Sequence, residues 1–155
     1  MIDGVAVKHL KRIADERGWL TEVMRSDWEI SAKFAQVYVT AAFPKVVKAW
    51  HMHNKQTDHL ACVKGEAKLV LCDGRSDSKT KGKIAEFMMG EKNPMIVKVP
   101  PGVWHGFEAL GEEPALVVNI PTELYNYEKP DEYRLPPDTK KIPYDWKLTP
   151  GLKHG

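Results

Sequence analysis

Apolar and polar residues alternate along most of the chain with a period of two, which is typical of strands that bury one face. Turn residues such as Lys64-Gly65, Asp73-Gly74 and Leu110-Gly111 separate the alternating segments. Many short strands at near-regular spacing predict an all-β sandwich or barrel. The pattern allows one short helix, over 26–34. The clearest predicted strands are 36–41, 46–51, 59–63, 67–72, 95–99 and 115–120.

The last 35 residues differ in composition from the rest of the chain. Six of the eleven prolines lie from Pro121 onward, and proline cannot donate to the ladder of a central strand. The same stretch is rich in tyrosine and also contains Trp146. We therefore expect residues 121–155 to wrap a single domain spanning 1–155, or to form a dimer contact.

Composition and charge exclude several classes of protein. The 23 basic residues are interspersed with 21 acidic ones, and the net charge of +2 predicts no nucleic-acid partner. No apolar run reaches the roughly 18 residues of a membrane helix, and the first residues lack the apolar stretch of a secretory signal. Cys62 and Cys72 each fall within a strand-like segment, which favours reduced core thiols and a cytoplasmic location.

Histidines provide the candidate chemistry. His51 and His53 are two residues apart on a predicted strand, so they project from the same face. Asp58 follows, and a Pro-Pro-Gly turn brings His105 from a separate strand. Three imidazoles and a carboxylate can form a metal site or a polar ligand pocket. His59 lies on the face opposite Asp58 and is expected to be structural or exposed.

The spacing H-x-H-x4-D-x6-G, followed by P-x-G-x2-H, resembles the two cupin motifs. The resemblance implies a double-stranded β-helix barrel, or jelly roll, with its chemistry at His51, His53, Asp58 and His105. The first cupin motif usually carries glutamate where this chain has Asp58.

A longer collinear series, from about residue 13 to 130, is similar to dTDP-4-dehydrorhamnose 3,5-epimerases. It includes D-E-R-G-W-L-T-E from residue 15, K-A-W-H from residue 48, C-V-K-G-E from residue 62, P-G-V-W-H-G-F from residue 101 and T-E-L-Y from residue 122. The resemblance implies a cofactor-independent isomerase of polysaccharide biosynthesis. Its substrate would be a nucleotide-linked 4-keto-6-deoxysugar, inverted at carbons beside the ketone.

Residue roles follow from that resemblance. His51 is the expected general base, which suits a group with a pKa near working pH. His105 is expected to hold the sugar or to stabilise charge. The remaining matched positions are expected to hold the nucleotide or the substrate, and they are Arg17, Glu22, Gln36 and Lys48. Arg17 is suited to pairing with a diphosphate. Lys48 stands where the family usually has an arginine.

Three positions depart from the family pattern. Asp58 stands where the family has a lysine near the enolate, and Asn119 stands where it has a catalytic tyrosine. Both are still expected to contact the substrate. The family's C-terminal aspartate, which orients the base, has no clear counterpart in the sequence. The remaining candidates for a second proton carrier are His53 and Tyr125.

Other functions stay open at this point. Nucleotide-sugar 3,4-ketoisomerases are small cupins that resemble the K-A-W-H-M-H segment from residue 48. Metal-dependent cupin enzymes would use a divalent metal on His51, His53, Asp58 and His105, and a non-catalytic nucleotide-sugar-binding cupin is the third alternative. In each case a homodimer is expected, with N-terminal strands pairing between the two copies.

Overall fold

The computed structural model describes residues 1–155 and contains twelve strands and no helix. Accordingly, it has no helix long and apolar enough to cross a membrane. The strands are β1 (Ala6–His9), β2 (Arg12–Asp15), β3 (Gly18–Thr21), β4 (Tyr38–Ala42), β5 (Val47–Met52), β6 (Asp58–Lys64), β7 (Glu66–Asp73), β8 (Ile84–Gly90), β9 (Met95–Val99), β10 (Val103–Leu110), β11 (Ala115–Asn119) and β12 (Tyr133–Arg134).

Two five-stranded antiparallel sheets form the body of the protein. The first has the order β1-β9-β6-β11-β4, and the second has the order β12-β5-β10-β7-β8. Alternate side chains of each sheet enter the main core, including Leu60 and Val117 from the first and Leu69 and Phe107 from the second. Strands β2 and β3 form a separate hairpin. The all-β prediction is therefore confirmed.

The strands predicted from the period-two alternation agree closely with those of the structure. All six segments predicted as strands are strands, namely β4, β5, β6, β7, β9 and β11, with ends within two residues of the prediction. Alternation along β7 shows why: Leu69 and Leu71 belong to the main core, whereas Val70 and Cys72 pack on the opposite face. Both cysteines are free and buried.

The helix predicted over 26–34 is wrong. The segment consists of turns, in which the Trp28 amide donates to the Arg25 carbonyl and the Ser31 amide donates to the Trp28 carbonyl. A helix of nine residues is marginal in isolation, so packing decides the conformation. Here the buried Ile30 side chain belongs to one apolar cluster with Ile96 of β9 and with Ile120, which follows β11, and the turns place it there.

The proline-rich C-terminal segment packs on the outer face of the second sheet. Strand β12 pairs with β5, and beyond it Ile142 and Trp146 form a second apolar cluster with Trp50. The rings of Trp50 and Trp146 lie 5.2 Å apart and are inclined at 55°. The segment thereby buries the face of β5 that points away from the main core.

Candidate functional site

A cavity of about 640 Å³ opens among side chains of both sheets, a size suited to a small-molecule ligand. Its walls come from β4, β5, β6, β10, β11 and β12 and from the C-terminal segment. Seven of the ten site residues predicted from the sequence line it: Gln36, Lys48, His51, His53, His105, Asn119 and Tyr125. Asp58 lies against two of these histidines, so eight of the ten come together.

The base candidate His51 has a carboxylate partner that the sequence did not reveal. Strand β12 pairs with β5 and brings Glu132 beside His51, with Oε1 3.0 Å from Nδ1. The hydrogen bond from His51 lowers the pKa of Glu132 to about 2, against the opposing effect of burial, and Arg134 adds two further hydrogen bonds. An ionised Glu132 retains a proton on Nδ1, which leaves the Nε2 lone pair available as a base.

A second cluster places one carboxylate between two imidazoles. Oδ2 of Asp58 lies 3.4 Å from Nε2 of His53 and 3.5 Å from Nε2 of His105. The other ring nitrogen of each histidine contacts a backbone carbonyl, that of Asp131 for His53 and that of Val103 for His105. Both imidazoles are therefore held in one orientation.

The surroundings of His105 favour its uncharged form. Burial lowers its pKa to about 4, and the neighbouring His53 and His51 add to the effect, whereas the attraction of Asp58 opposes it. His51 itself stands apart from the Asp58 cluster, which comprises only His53, Asp58 and His105. The cavity thus contains two separate imidazole–carboxylate groups.

Asn119 stands at the position matched to a catalytic tyrosine in the resembled family, and here it organises hydrogen bonds. Its Nδ2 donates to Oδ1 of Asp58 at 2.7 Å and to the Tyr38 hydroxyl at 2.9 Å. Its Oδ1 accepts from the His59 amide, and Gln56 also donates to Oδ1 of Asp58. Because Tyr38 accepts from Asn119, its own hydroxyl hydrogen is free to donate, and burial raises its pKa.

The rim of the cavity combines aromatic rings with two cations. Tyr125 stacks edge-on against Tyr127 at 5.1 Å, and its amide donates to the Gln36 side chain. Nζ of Lys48 donates to Thr40, and burial lowers the pKa of Lys48, with a further contribution from Arg134. Flat apolar rings beside cations suit a ligand with a base and a phosphate group.

Arg17 and Glu22 lie outside the cavity. Arg17 is at the turn of the β2–β3 hairpin, with 83% of its side chain exposed, and it pairs with Asp15 at 2.5 Å. Glu22 pairs with Arg25 at 2.8 Å. Within a single chain neither residue reaches the histidines. His59 is buried, and both of its ring nitrogens contact backbone carbonyls, so it is structural.

Comparisons with known proteins agree with this architecture. The family described as dTDP-4-dehydrorhamnose 3,5-epimerase matches residues 1–153. A probable low-salt glycan biosynthesis epimerase of Haloferax volcanii is 46% identical over 149 residues, which cover 94% of each chain. The spore coat polysaccharide biosynthesis protein SpsL of Bacillus subtilis is 43% identical over 146 residues, covering 94% of this chain and 97% of that protein.

Among solved structures, a dTDP sugar isomerase of Desulfovibrio desulfuricans superposes with a TM-score of 0.89. It is 32% identical, and the alignment covers 98% of this chain and 94% of the other. The predicted jelly-roll barrel is therefore confirmed at the level of the fold.

Proposed function

The chain belongs to the dTDP-4-dehydrorhamnose 3,5-epimerase family, and we propose that it epimerises a nucleotide-linked 4-keto-6-deoxyhexose at a carbon beside the ketone. The observation that carries the proposal is the pairing of His51 with the ionised Glu132 on the wall of a cavity large enough for a sugar. Such a pair forms a base of fixed orientation.

The first step is abstraction of a proton from the carbon next to the carbonyl. Nε2 of His51 takes the proton, and Glu132 stabilises the imidazolium that results. The electron pair of the C–H bond moves onto the carbonyl oxygen, which becomes an enolate. The negative charge needs a donor or cation nearby. The Tyr38 hydroxyl and the Lys48 ammonium line the same cavity and supply them.

The second step returns a proton to the opposite face of the enolate. Of the two candidates from the sequence, Tyr125 fits better than His53. Nδ1 of His53 is engaged by the Asp131 carbonyl and Nε2 faces Asp58, whereas Tyr125 lines the cavity with 42% of its surface exposed. We assign the Tyr125 hydroxyl as the proton donor. The chemistry moves only protons: His51 gives its proton to solvent and Tyr125 regains one from it, so no redox or group-carrying cofactor is needed.

A homodimer would give Arg17 and Glu22 their expected role. The β2–β3 hairpin displays the apolar side chains of Ile13, Trp19 and Leu20, which suits a protein interface. We propose that this hairpin packs on a second copy and brings Arg17 to the diphosphate in the other copy's cavity. Mixed dimers test this: Arg17→Ala and His51→Asn subunits should complement each other in one of the two cavities.

The proposed setting is cytoplasmic biosynthesis of a glycan or polysaccharide. The named relatives from Haloferax volcanii and Bacillus subtilis belong to glycan and spore coat polysaccharide synthesis. Two free thiols, Cys62 and Cys72, are compatible with a reducing compartment.

The decisive experiment follows exchange of sugar hydrogens with D2O by NMR, using a dTDP-4-keto-6-deoxyhexose. The wild-type protein should introduce deuterium beside the ketone and release an epimer, and His51→Asn should abolish both. Deuterium uptake unchanged in His51→Asn would overturn the assignment. Migration of the ketone to an adjacent carbon would indicate a ketoisomerase, and tight binding without exchange would indicate a binding protein.

A further inference from the structure

We propose that His53, Asp58 and His105 bind one divalent transition-metal ion of the zinc type at the floor of the cavity. The proposal does not depend on the epimerase activity, because it concerns three side chains that the proton transfer does not use. It rests on the positions of three ligand atoms, on the hydrogen bonds that orient them, and on the chemistry of the donor set.

The two distances from Asp58 to the histidines match those of a tetrahedral site. Nε2 of His53 and Nε2 of His105 lie 3.4 and 3.5 Å from Oδ2 of Asp58, and all three atoms lie within 4.8 Å of one another. Zinc bonds to nitrogen and oxygen are about 2.0–2.1 Å long, so two ligands at a tetrahedral angle are about 3.3–3.4 Å apart. Hydrogen bonds between these atoms would be shorter, at about 2.7–3.2 Å.

The orientation of each histidine turns a lone pair toward Asp58. Nδ1 of His53 contacts the Asp131 carbonyl, and Nδ1 of His105 contacts the Val103 carbonyl. A carbonyl only accepts, so in a neutral ring Nδ1 carries the hydrogen and Nε2 is left as an acceptor. This is the arrangement in which histidines bind metals, with the second nitrogen held by a backbone carbonyl.

The Asp58 carboxylate also has one oxygen held by hydrogen bonds and the other left as an acceptor. Oδ1 of Asp58 accepts hydrogen bonds from Gln56 and Asn119, both at 2.7 Å, and no hydrogen bond reaches Oδ2. Asp58 is 1% exposed, so its Oδ2 lies in a buried place. Three acceptor atoms therefore face one another in a buried place, and a cation between them satisfies all three.

The donor set indicates the class of ion. Two imidazoles with one carboxylate suit zinc and its first-row neighbours, whereas calcium and magnesium prefer sites made of oxygen. His53 and His105 also line the cavity, so the remaining coordination position faces the space that a ligand would occupy. A site with three protein ligands and one open position is typical of catalytic zinc.

The test uses the full-length protein after treatment with a chelator. CoCl2 is added stepwise, and the visible absorption bands of four-coordinate Co²⁺ are recorded, followed by displacement with ZnCl2. We expect saturation at about one equivalent, with affinity falling by more than about 100-fold in Asp58→Asn and in His105→Gln. His9→Gln, at an exposed histidine of β1, is the matched control and should bind as the wild type does.

His51→Asn separates this proposal from the proposed function. It should bind Co²⁺ normally while failing to exchange sugar hydrogens, because His51 is outside the three-residue cluster. If Asp58→Asn does not fold, the ¹⁵N shifts of the His53 and His105 rings in the wild type report binding instead: both Nε2 signals should move on addition of ZnCl2. Binding below about a tenth of an equivalent, unshifted Nε2 signals, or unchanged affinity in the folded variants would overturn the metal site.

Discussion

Nδ1 of His51 lies 3.0 Å from Oε1 of Glu132, although 81 positions separate the two residues in the chain. The two-residue strand β12 produces this contact by pairing with β5. Glu132 also binds Arg134, and its pKa is lowered to about 2, so it is ionised throughout the physiological range. The imidazole is therefore fixed both in position and in tautomer.

Replacing Glu132 by glutamine should lower kcat by about 10²–10⁴-fold with little change in KM, because the amide removes the charge that stabilises the imidazolium. Glu132 acts through His51 and is a positioning residue. Steady-state kinetics with the 4-keto sugar nucleotide measure the effect, and Glu132→Asp should restore part of kcat. A loss confined to KM would instead assign Glu132 to substrate binding.

Substitutions of Tyr125 and Tyr38 should affect the two steps of the reaction differently. Tyr125→Phe should reduce formation of the epimer by about 10²-fold while exchange of the substrate hydrogen with D2O continues, because proton abstraction is intact. Tyr38→Phe should reduce both processes together, because the enolate loses a donor. NMR of the recovered substrate and product distinguishes these patterns, and the reverse pattern would exchange the two roles.

Protonation of Asp73 should lower the free energy of unfolding at acid pH. Arg75 donates to this buried carboxylate and lowers its pKa well below the ordinary 3.8, with Ser78 and Thr80 assisting against burial. A carboxylate whose pKa is lower in the folded than in the unfolded protein stabilises the fold at pH values above its unfolded-state pKa. That stabilisation is lost as the pH falls from the unfolded-state pKa toward the folded-state pKa. Asp73→Asn should cost about 2–3 kcal/mol at pH 7 and less near pH 3.

Urea unfolding of the two proteins at both pH values measures this difference. Asp15→Asn is the control, because the Asp15–Arg17 pair is exposed and screened by solvent, so its loss should leave the free energy of unfolding nearly unchanged. A difference between wild type and Asp73→Asn that stayed constant from pH 7 to pH 3 would contradict the assignment.

Trp146 should be the principal anchor of the C-terminal segment. It is 2% exposed and packs on Trp50, so Trp146→Ala should lower the free energy of unfolding by about 3–5 kcal/mol. Trp146→Phe should lower the free energy of unfolding by less. The indole N–H of Trp146 has no hydrogen-bond acceptor, so removing it leaves no acceptor without a donor. Leu124→Ala, at a side chain 70% exposed, is the control. Thermal and urea unfolding of the three variants test this order.

Alternation along strands was sufficient to predict part of the site. His51 and His53 share a face because their spacing is two, and the same rule applied from Gln36 would have identified Tyr38 and Thr40, which also line the cavity. The fold class followed from the same periodicity. These features are local, so a local pattern in the sequence reveals them.

Alternation along strands could not identify Glu132, because its position depends on a contact between distant parts of the chain. Strand β12 has only two residues and lies in a proline-rich stretch, so no periodicity indicates it. The orientation of Asp58 toward His53 and His105 likewise depends on Gln56 and on the remote Asn119. The turns at 26–34 were missed for the same reason, since burial of Ile30 outweighs local helix preference.

Asp131 also determines when the site is completed during synthesis. Its carboxylate accepts from the amides of Asn54, Lys55 and Gln56, and its carbonyl accepts from the His53 ring. Strands β1 to β11 all precede residue 131 in the chain. A polypeptide released from the ribosome before residue 131 would therefore contain these eleven strands but would lack the groups that orient His53.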